Sequence, residues 1–275
     1  MRDGTILRRK DRGIWKEITW AELGARARRV GMALKALGFR AGDVAAVLAE
    51  TSPDWVYTDL GILGAGGISA GIDPTDTSNQ VAHLLHDCGA RFLFVENEEQ
   101  LDKMLETRER CPGLERVVIF DMTGLRDLAD PMRESLETFL ARGEAFDRAH
   151  PDEWECGIAA IEGGQTPILA YTSGTTGWAK GVLLSHRNIL FQVANASRLL
   201  DQRDGDERLA FLPMCHVTER IAGIYQALYT GTISNYVEGP ETVAENLREV
   251  RHCRVVTIRH RGGPQEIRRV EHGNG

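Results

Sequence analysis

The chain has 275 residues, of which 42% are hydrophobic and 27% charged, and its net charge is −7 at pH 7. This composition describes a globular protein with a sizeable core and gives no support for nucleic-acid binding. No run approaches the roughly 18 apolar residues of a membrane span, and residues 1–10 are too charged for a signal peptide. Five cysteines without a C-x-x-C pair argue against a disulfide framework or zinc site and favour a reducing cytoplasm.

The first half of the chain alternates apolar runs with amphipathic stretches. Local signals mark several helix ends: Ser52 with Pro53 marks a start, and Gly38 and Gly89 mark stops. We expect strands at residues 15–20, 44–48, 68–72, 91–95 and 117–120, and helices at 20–37, 53–64, 78–88, 98–110 and 135–148. Such alternation predicts an α/β fold whose mostly parallel sheets carry helices on both faces.

The second half continues the alternation after a polar surface excursion, which we expect at residues 151–164. We then expect strands at residues 168–171, 181–184, 209–212 and 232–237, and helices at 186–200, 221–229 and 242–250. We divide the chain into a first sheet at about 15–165, the start of a second sheet at about 166–250, and a tail at 251–275.

The segment at residues 171–182 lies between two of these strands and combines glycines, four hydroxyl residues and Lys180. Glycines bring backbone N–H groups close to a ligand, hydroxyls add donors, and lysine supplies a charge, which suits a polyphosphate. The Walker spacing G-x-x-x-x-G-K-[ST] fails, because Lys180 follows Gly177 by three residues and Gly181 takes the Ser/Thr position. The alternative is a Gly/Thr hairpin without a ligand.

Residues 171–182 resemble the phosphate-loop signature of the adenylate-forming superfamily, Y-T-S-G-T-T-G-x-P-K-G-V, with Ala179 in place of the usual proline. Residues 184–188 resemble the L-S-H-x-N that follows in that family. Residues 212–220 resemble the L-P-x-x-H-x-x-E-R of its long-chain fatty acyl-CoA synthetase branch. The branch motif favours this reading over a luciferase-like or peptide-synthetase adenylation domain.

The resemblance implies that ATP activates a fatty acid as acyl-AMP and that CoA then displaces AMP. It implies an anion cradle for the β- and γ-phosphates, Thr172 near Mg²⁺ or phosphate, Lys180 as added charge, and His216 beside the acyl carboxylate. The cradle residues would be Thr172, Ser173, Gly174, Thr175, Thr176, Gly177 and Lys180. A fatty substrate also allows peripheral contact with a membrane.

Three further residues, His216, His186 and Glu219, follow a strand or begin a helix, and two of them have more than one interpretation. His216 follows a strand end and is either a turn histidine or, as the resemblance implies, a site residue. His186 is expected in the first turn of a helix, where it orders the chain after the hairpin. Glu219 is either an exposed glutamate at a helix N-terminus or a group that orients Arg220 or His216.

The last 25 residues differ from those before them, with six arginines against two glutamates. One interpretation is a basic tail for an acidic partner. The other, which we favour, is a reading frame that shifted near Val250. The family's Y-G-x-T-E segment and its mobile C-terminal lid domain have no counterpart among the 275 residues, so we expect a partial N-terminal AMP-binding domain at 1–250. We expect such a chain to be inactive alone, and a non-catalytic nucleotide-binding fragment is the alternative.

Overall fold

The computed structural model describes residues 4–125, 130, 132–172, 178–200 and 202–250. These residues form two compact units, each with its own sheet. The larger unit consists of Glu22–Leu190 and Pro213–Val217. The smaller unit consists of the described residues of Met1–Ala21, Phe191–Leu212 and Thr218–Gly275.

The larger unit contains a seven-stranded sheet in the order β7-β6-β5-β3-β4-β8-β9. Its strands are β3 (Val44–Leu48), β4 (Ile68–Ile72), β5 (Phe92–Val95), β6 (Arg116–Ile119), β7 (Arg133–Ser135), β8 (Ile168–Thr172) and β9 (Lys180–Leu184). All neighbouring pairs are parallel except β8 and β9, which form an antiparallel hairpin. The mostly parallel α/β architecture predicted from the sequence is therefore confirmed.

The helices follow the predicted alternation and begin and end at recognisable signals. In chain order they are α1 (Trp20–Ala36), α2 (Pro53–Gly64), α3 (Ser78–Cys88), α4 (Glu98–Leu105), α5 (Leu136–Ala149), α6 (Glu153–Ala159), α7 (His186–Leu200), α8 (Gln226–Thr230) and α9 (Val243–Glu249). Ser52 caps α2 by accepting from the Trp55 N–H, as the Ser-Pro pair predicts. Thr77 and Gln80 form a capping box at α3, which ends at Gly89 with φ of +63°.

Helices cover both faces of the larger sheet because side chains alternate along each strand. Leu93 and Val95 of β5 belong to a buried cluster with apolar residues of α3 and α4. On the opposite face the Phe94 ring contacts the Phe139 ring of α5 edge-on, with centroids 5.4 Å apart. Every residue of β5 is at most 1% exposed. The core therefore lies on both sides of the central strands.

The smaller unit contains a four-stranded sheet in the order β10-β11-β1-β2. Its strands are β1 (Thr5–Asp11), β2 (Ile14–Thr19), β10 (Glu207–Ala210) and β11 (Ile233–Tyr236). Strand β1 pairs antiparallel with β2 and parallel with β11. A π-helical stretch, Glu219–Tyr225, leads into α8 where the sequence predicted one regular helix.

The structure corrects several predictions. We expected a second sheet to begin at about residue 166. Strands β8 and β9 instead belong to the seven-stranded sheet, in which β8 pairs with β4. Strand β1 was not predicted, since its charged sequence TILRRKD hides its alternation. The expected surface excursion at 151–164 contains α6. The Trp154 ring of this helix packs against Gly31 of α1 and Gly64 of α2, where an added Cβ would lie 2.2 Å from the ring. None of the described helices is long and apolar enough to cross a membrane.

Candidate functional site

The β8–β9 hairpin carries the two ends of the predicted phosphate loop. Thr172 and Lys180 lie opposite each other at the end where residues 173–179 connect the two strands, and both are exposed. The Thr172 hydroxyl is 3.5 Å from the Lys180 carbonyl oxygen, to which it donates a long hydrogen bond. Within the part of the chain that the structure describes, Lys180 forms no ion pair. Its ammonium group is therefore available to an anion at this end of the hairpin.

The rest of the predicted cradle lies outside the described residues: Ser173, Gly174, Thr175, Thr176 and Gly177. Their role in binding phosphate stays a prediction. The connection between β8 and β9 is seven residues long, residues 173–179, and both strands belong to the larger sheet. That length and that location allow a backbone nest.

A half-buried phenol joins the hairpin to α3. The Tyr171 hydroxyl donates a 2.8 Å hydrogen bond to the Asp87 carboxylate. Burial, and then the bond to Asp87, raise the pKa of Tyr171 far above its ordinary value, so the phenol stays protonated at neutral pH. Opposite it, Gly181 leaves room for Leu169, whose Cδ1 would lie 2.7 Å from an added Cβ.

A second contact between the hairpin and α3 involves Trp178. Its indole is 58% exposed, yet its ring centroid lies 4.5 Å from that of His83, with the planes tilted by 37°. Trp178 immediately follows the five cradle residues and precedes Ala179, where the family usually has proline. The ring contact therefore gives the residue before Ala179 a partner on α3.

Three side chains converge at the end of strand β4. Asp73 follows the strand, and its Oδ2 lies 3.6 Å from the Cys215 sulfur and 3.8 Å from His216 Nε2. The other carboxylate oxygen, Oδ1, accepts hydrogen bonds from the backbone N–H and the hydroxyl of Thr75, at 2.9 and 2.7 Å. Cys215 is buried, whereas the His216 side chain is 62% exposed.

The segment that carries Cys215 and His216 packs against the carboxyl ends of strands β3 and β4. The Met214 N–H donates a 3.0 Å hydrogen bond to the Thr51 hydroxyl, which lies beyond the end of β3. A Cβ added at Gly71 would lie 2.7 Å from the Cys215 Cα, so only glycine allows this approach. Residues 214–217 therefore lie at the carboxyl edge of the larger sheet, although the strand that they follow, β10, belongs to the smaller one.

Both groups of residues lie at the same edge of one sheet. Strands β4 and β8 are parallel neighbours, with Ser69 beside Ile168 and Ala70 beside Leu169. Continued to the strand ends, this register sets Asp73 level with Thr172, and neighbouring strands are about 4.8 Å apart. The sequence predicted His216 and Thr172 separately but missed Asp73, although a carboxylate directly after a strand at this edge is a recognisable signal.

The edge carries several carboxylates with shifted pKa values. Burial opposes ionisation of Asp73, but the hydrogen bonds from Thr75 and Cys215 and the charge of His216 lower its pKa overall. Burial, followed by the charge of Asp73, raises the pKa of Asp76. Burial, followed by the charge of Glu96, raises the pKa of Glu50. A triphosphate brought here would need positive charge beyond that of Lys180.

Two other predicted residues have different roles from His216. His186 begins α7, as predicted, and burial lowers its pKa, which favours the neutral imidazole. Glu219 was expected to be exposed or to orient Arg220 or His216. It is instead 2% exposed in the smaller unit, where its Oε1 lies 2.5 Å from Nη2 of Arg208. The exposed-glutamate interpretation of Glu219 was therefore wrong, because strand β10 supplies a buried cation.

A model of the AMP-binding enzyme family matches residues 3–258, which is most of the chain. The chain therefore belongs to the AMP-binding enzyme family, as the motif at residues 171–182 predicted. The match passes Val250 by eight residues, into the segment whose composition changes. The shifted reading frame remains a hypothesis, and the tail lies outside the described residues.

Its relatives include long-chain-fatty-acid–CoA ligases. ACSBG1 of Homo sapiens is 29% identical over 247 residues, which cover 86% of this chain and 33% of that protein. FadD15 of Mycobacterium bovis is 30% identical over 220 residues, which cover 79% and 35%. The chain thus spans about a third of the length of these curated relatives.

Solved structures support the same fold. The anthranilate CoA ligase AuaEII, in complex with anthranoyl-AMP, aligns with a TM-score of 0.75 and 25% identity, over 89% of this chain and 44% of that one. A fatty acyl-adenylate ligase from L. pneumophila, in complex with acyl adenylate and pyrophosphate, aligns with a TM-score of 0.68 and 19% identity, over 90% and 39%. The second likeness concerns the fold alone.

Proposed function

We propose that this chain is the N-terminal part of an ATP-dependent ligase that converts a long-chain fatty acid through acyl-AMP to acyl-CoA. The observation that carries the proposal is the β8–β9 hairpin, which sets Thr172 and Lys180 at the sheet edge where β4 also ends. The relatives named above, and the motif at residues 212–220, support the long-chain branch.

In this proposal the protein's task is to bring an anion to an anion. The fatty carboxylate attacks the α-phosphorus of ATP and pyrophosphate leaves; the CoA thiolate then attacks the acyl carbonyl and AMP leaves. Neither step requires a covalent bond to the protein. Backbone N–H groups, hydroxyls and cations must hold the reacting groups and neutralise charge, which is the chemistry that residues 172–180 supply.

His216 is the proposed neighbour of the acyl carboxylate. Its exposed ring lies at the carboxyl edge of the larger sheet, with Nε2 3.8 Å from Oδ2 of Asp73, which follows β4. An imidazole oriented by a carboxylate can donate a hydrogen bond to a substrate carboxylate and stabilise its charge. Asp73 is then a positioning residue for His216.

The oxygen atoms at this edge of the sheet are ligands of the kind that Mg²⁺ binds. The Thr172 hydroxyl is an oxygen ligand, and Mg²⁺ commonly takes one or two protein oxygens together with phosphate oxygens. When bound, Mg²⁺ neutralises phosphate charge at an edge that already carries Glu50, Asp73 and Asp76. Residues 172–180 would hold the phosphates on which the ion sits.

We also propose that the 275 residues alone do not complete the reaction, because their relatives use about three times this length. The test is an assay of the purified chain with palmitate, ATP, Mg²⁺ and CoA, together with equilibrium dialysis against labelled ATP. We expect ATP binding without acyl-CoA formation. Acyl-CoA formation at a rate typical of the family would refute the inactivity, and no ATP binding by the folded chain would refute the nucleotide site.

A second candidate is another adenylate-forming activity. The alignment with the anthranilate CoA ligase at 25% identity supports it, since that enzyme activates an aromatic acid. Equilibrium dialysis of the chain against palmitate and anthranilate together, with ATP present, separates the two candidates. Binding of the fatty acid alone supports the long-chain assignment, and binding of anthranilate alone supports the second candidate.

A further inference from the structure

The side chains of Asp73, Cys215 and His216 form a group that the ligase chemistry does not fully use. Each offers one ligand atom, and the three atoms lie within 4.8 Å of one another. Spacing along the sequence gave no hint of this group, because Asp73 is 142 residues from Cys215. The cluster arises only because β4 and the segment Pro213–Val217 meet in the larger unit.

We propose that Asp73, Cys215 and His216 bind one Zn²⁺ ion in a three-ligand site with an open fourth position. In tetrahedral zinc sites with bonds of about 2.3 Å to sulfur and 2.0–2.2 Å to nitrogen and oxygen, the ligand atoms lie about 3.3–3.6 Å apart. The corresponding distances from Asp73 Oδ2 are 3.6 Å to Cys215 and 3.8 Å to His216. The two distances from Asp73 reach tetrahedral values with a contraction of a few tenths of an ångström. The Cys215 sulfur and the His216 nitrogen lie within 4.8 Å of each other and must approach by up to about 1.3 Å.

The carboxylate is already oriented for this role. Thr75 occupies Oδ1 of Asp73 with two hydrogen bonds, which leaves Oδ2 directed at the sulfur and the imidazole. Gly71 permits the close approach of Cys215, and Thr51 fixes the backbone one residue before it. Neighbours at the ends of two strands, β3 and β4, therefore hold Asp73 and Cys215 in place, as the partners of metal ligands do in metal sites.

The ligand set selects a metal of zinc's type rather than Mg²⁺. Thiolate and imidazole suit Zn²⁺, whereas Mg²⁺ prefers oxygen ligands in octahedral geometry. On binding, the Cys215 S–H bond breaks, a sulfur–zinc bond forms, and the proton leaves to solvent. His216 is 62% exposed, so the open position faces solvent and accepts water or an anion.

The site goes beyond the proposed ligase function and does not depend on it. The two meet at His216: a zinc ion would hold the imidazole that the ligase proposal assigns to the acyl carboxylate. Zinc would then inhibit acyl activation. The tests below use no nucleotide and no fatty acid, so their failure leaves the ligase proposal untouched.

The experiment uses the full chain, with Co²⁺ as a spectroscopic probe and Zn²⁺ in calorimetry. We expect one metal ion per chain and a thiolate-to-cobalt charge-transfer band. Cys215→Ser should abolish the band, and Asp73→Asn and His216→Gln should each weaken zinc binding by at least about tenfold. Matched controls are Cys156→Ser, Asp152→Asn and His150→Gln, whose side chains are exposed and which should leave binding unchanged.

Zinc X-ray absorption on the unsubstituted chain tests the site without relying on a variant that folds. We expect one sulfur at about 2.3 Å and nitrogen or oxygen neighbours at about 2.0–2.2 Å. Absence of a sulfur neighbour would overturn the proposal. So would a band that survives Cys215→Ser but disappears in Cys253→Ser, because the metal would then be bound by the tail.

Discussion

The two sheets are stabilised by different chemistry. Strands β3 and β5 of the larger sheet bury aliphatic and aromatic side chains on both faces. Among the described residues, the larger unit buries one carboxylate, Asp59, and one amide, Gln100. The smaller unit buries apolar residues and also a larger set of charged and amide side chains, which are Lys10, Arg208, Glu219, Arg220, Gln226, Asn235 and Asn246. Non-directional burial stabilises the first sheet, and specific partners stabilise the second.

This difference has a consequence for tolerance to substitution. An apolar core loses stability in proportion to the volume removed, and a neighbouring methyl group can relax into the gap. A buried ion pair fails completely when one partner is lost, because the other charge remains without compensation. We therefore expect the removal of one buried charge to lower the stability of the smaller unit strongly. The stability of the larger sheet should depend mainly on the volume of its buried side chains.

The largest expected effect is at the Arg208–Glu219 pair. Glu219→Gln keeps the shape but leaves Arg208, whose side chain is 5% exposed, without its carboxylate. We expect the free energy of unfolding to fall by about 3–5 kcal/mol. Denaturant unfolding measures this, with exposed Glu245→Gln as the matched control. Equal stability of the two variants would show that the pair does not support the smaller unit.

Leu93→Ala tests the apolar side of the comparison. Leu93 lies in the middle of the larger sheet and is 0% exposed, whereas Leu183 of β9 is 62% exposed. We expect Leu93→Ala to cost about 2–5 kcal/mol. Leu183→Ala should change stability by less than about 0.5 kcal/mol. A similar loss for both variants in urea titrations would mean that β9 is buried in solution.

Lys10 offers a third test, in the smaller unit. Its ammonium donates to Asn246 Oδ1 at 2.6 Å and to Glu249 at 2.7 and 2.8 Å, which ties β1 to α9. We expect Lys10→Met to cost about 1.5–3 kcal/mol, as for hydrogen bonds of a charged group. Lys16→Met is the exposed control. Thermal unfolding that is unchanged by Lys10→Met would contradict the polar account of this sheet.

The smallest effects concern Asp73 and Asp76, where the larger sheet does carry charge. The pKa of folded Asp76 is raised above its ordinary 3.8, so its ionisation destabilises the fold as pH rises from 3.8 through the folded pKa. The pKa of folded Asp73 is lowered, so its contribution is present above 3.8 and is lost as pH falls through the folded pKa.

Opposite signs follow for the two asparagine variants. At pH 7, Asp76→Asn should stabilise the chain and Asp73→Asn should destabilise it, each by about 0.5 kcal/mol. Both differences should vanish at a pH where the carboxyls are protonated in both states. Melting curves across this pH range give the measurement, and equal signs at pH 7 would contradict the assigned burial and hydrogen bonds.

The same contrast explains what the sequence could predict. The continuous apolar runs of β3 and β5 indicate that these strands are buried, and Ser52 and Thr77 indicate where helices begin. In β1 the buried Lys10 reads as a solvated charge, because the sequence does not show Asn246 and Glu249 beside it.

At the candidate site, local patterns predicted single residues but not their neighbours. Thr172, Lys180 and His216 belong to motifs that can be read along the chain. Asp73 and Cys215 join His216 only through the pairing of distant strands, which no short pattern encodes. The resemblance to a family therefore predicted the roles of single residues, and the fold shows which side chains are in contact.

The most direct test of the account is the affinity of the chain for labelled ATP with Mg²⁺, measured by equilibrium dialysis for Thr172→Ala, Lys180→Ala and the control Lys16→Ala. Loss of a charge-assisted contact should weaken binding by roughly ten- to a hundredfold for Lys180→Ala. It should weaken binding by less for Thr172→Ala and not at all for Lys16→Ala. Affinities that are the same in all three variants and in the unsubstituted chain would contradict a phosphate site at the β8–β9 hairpin.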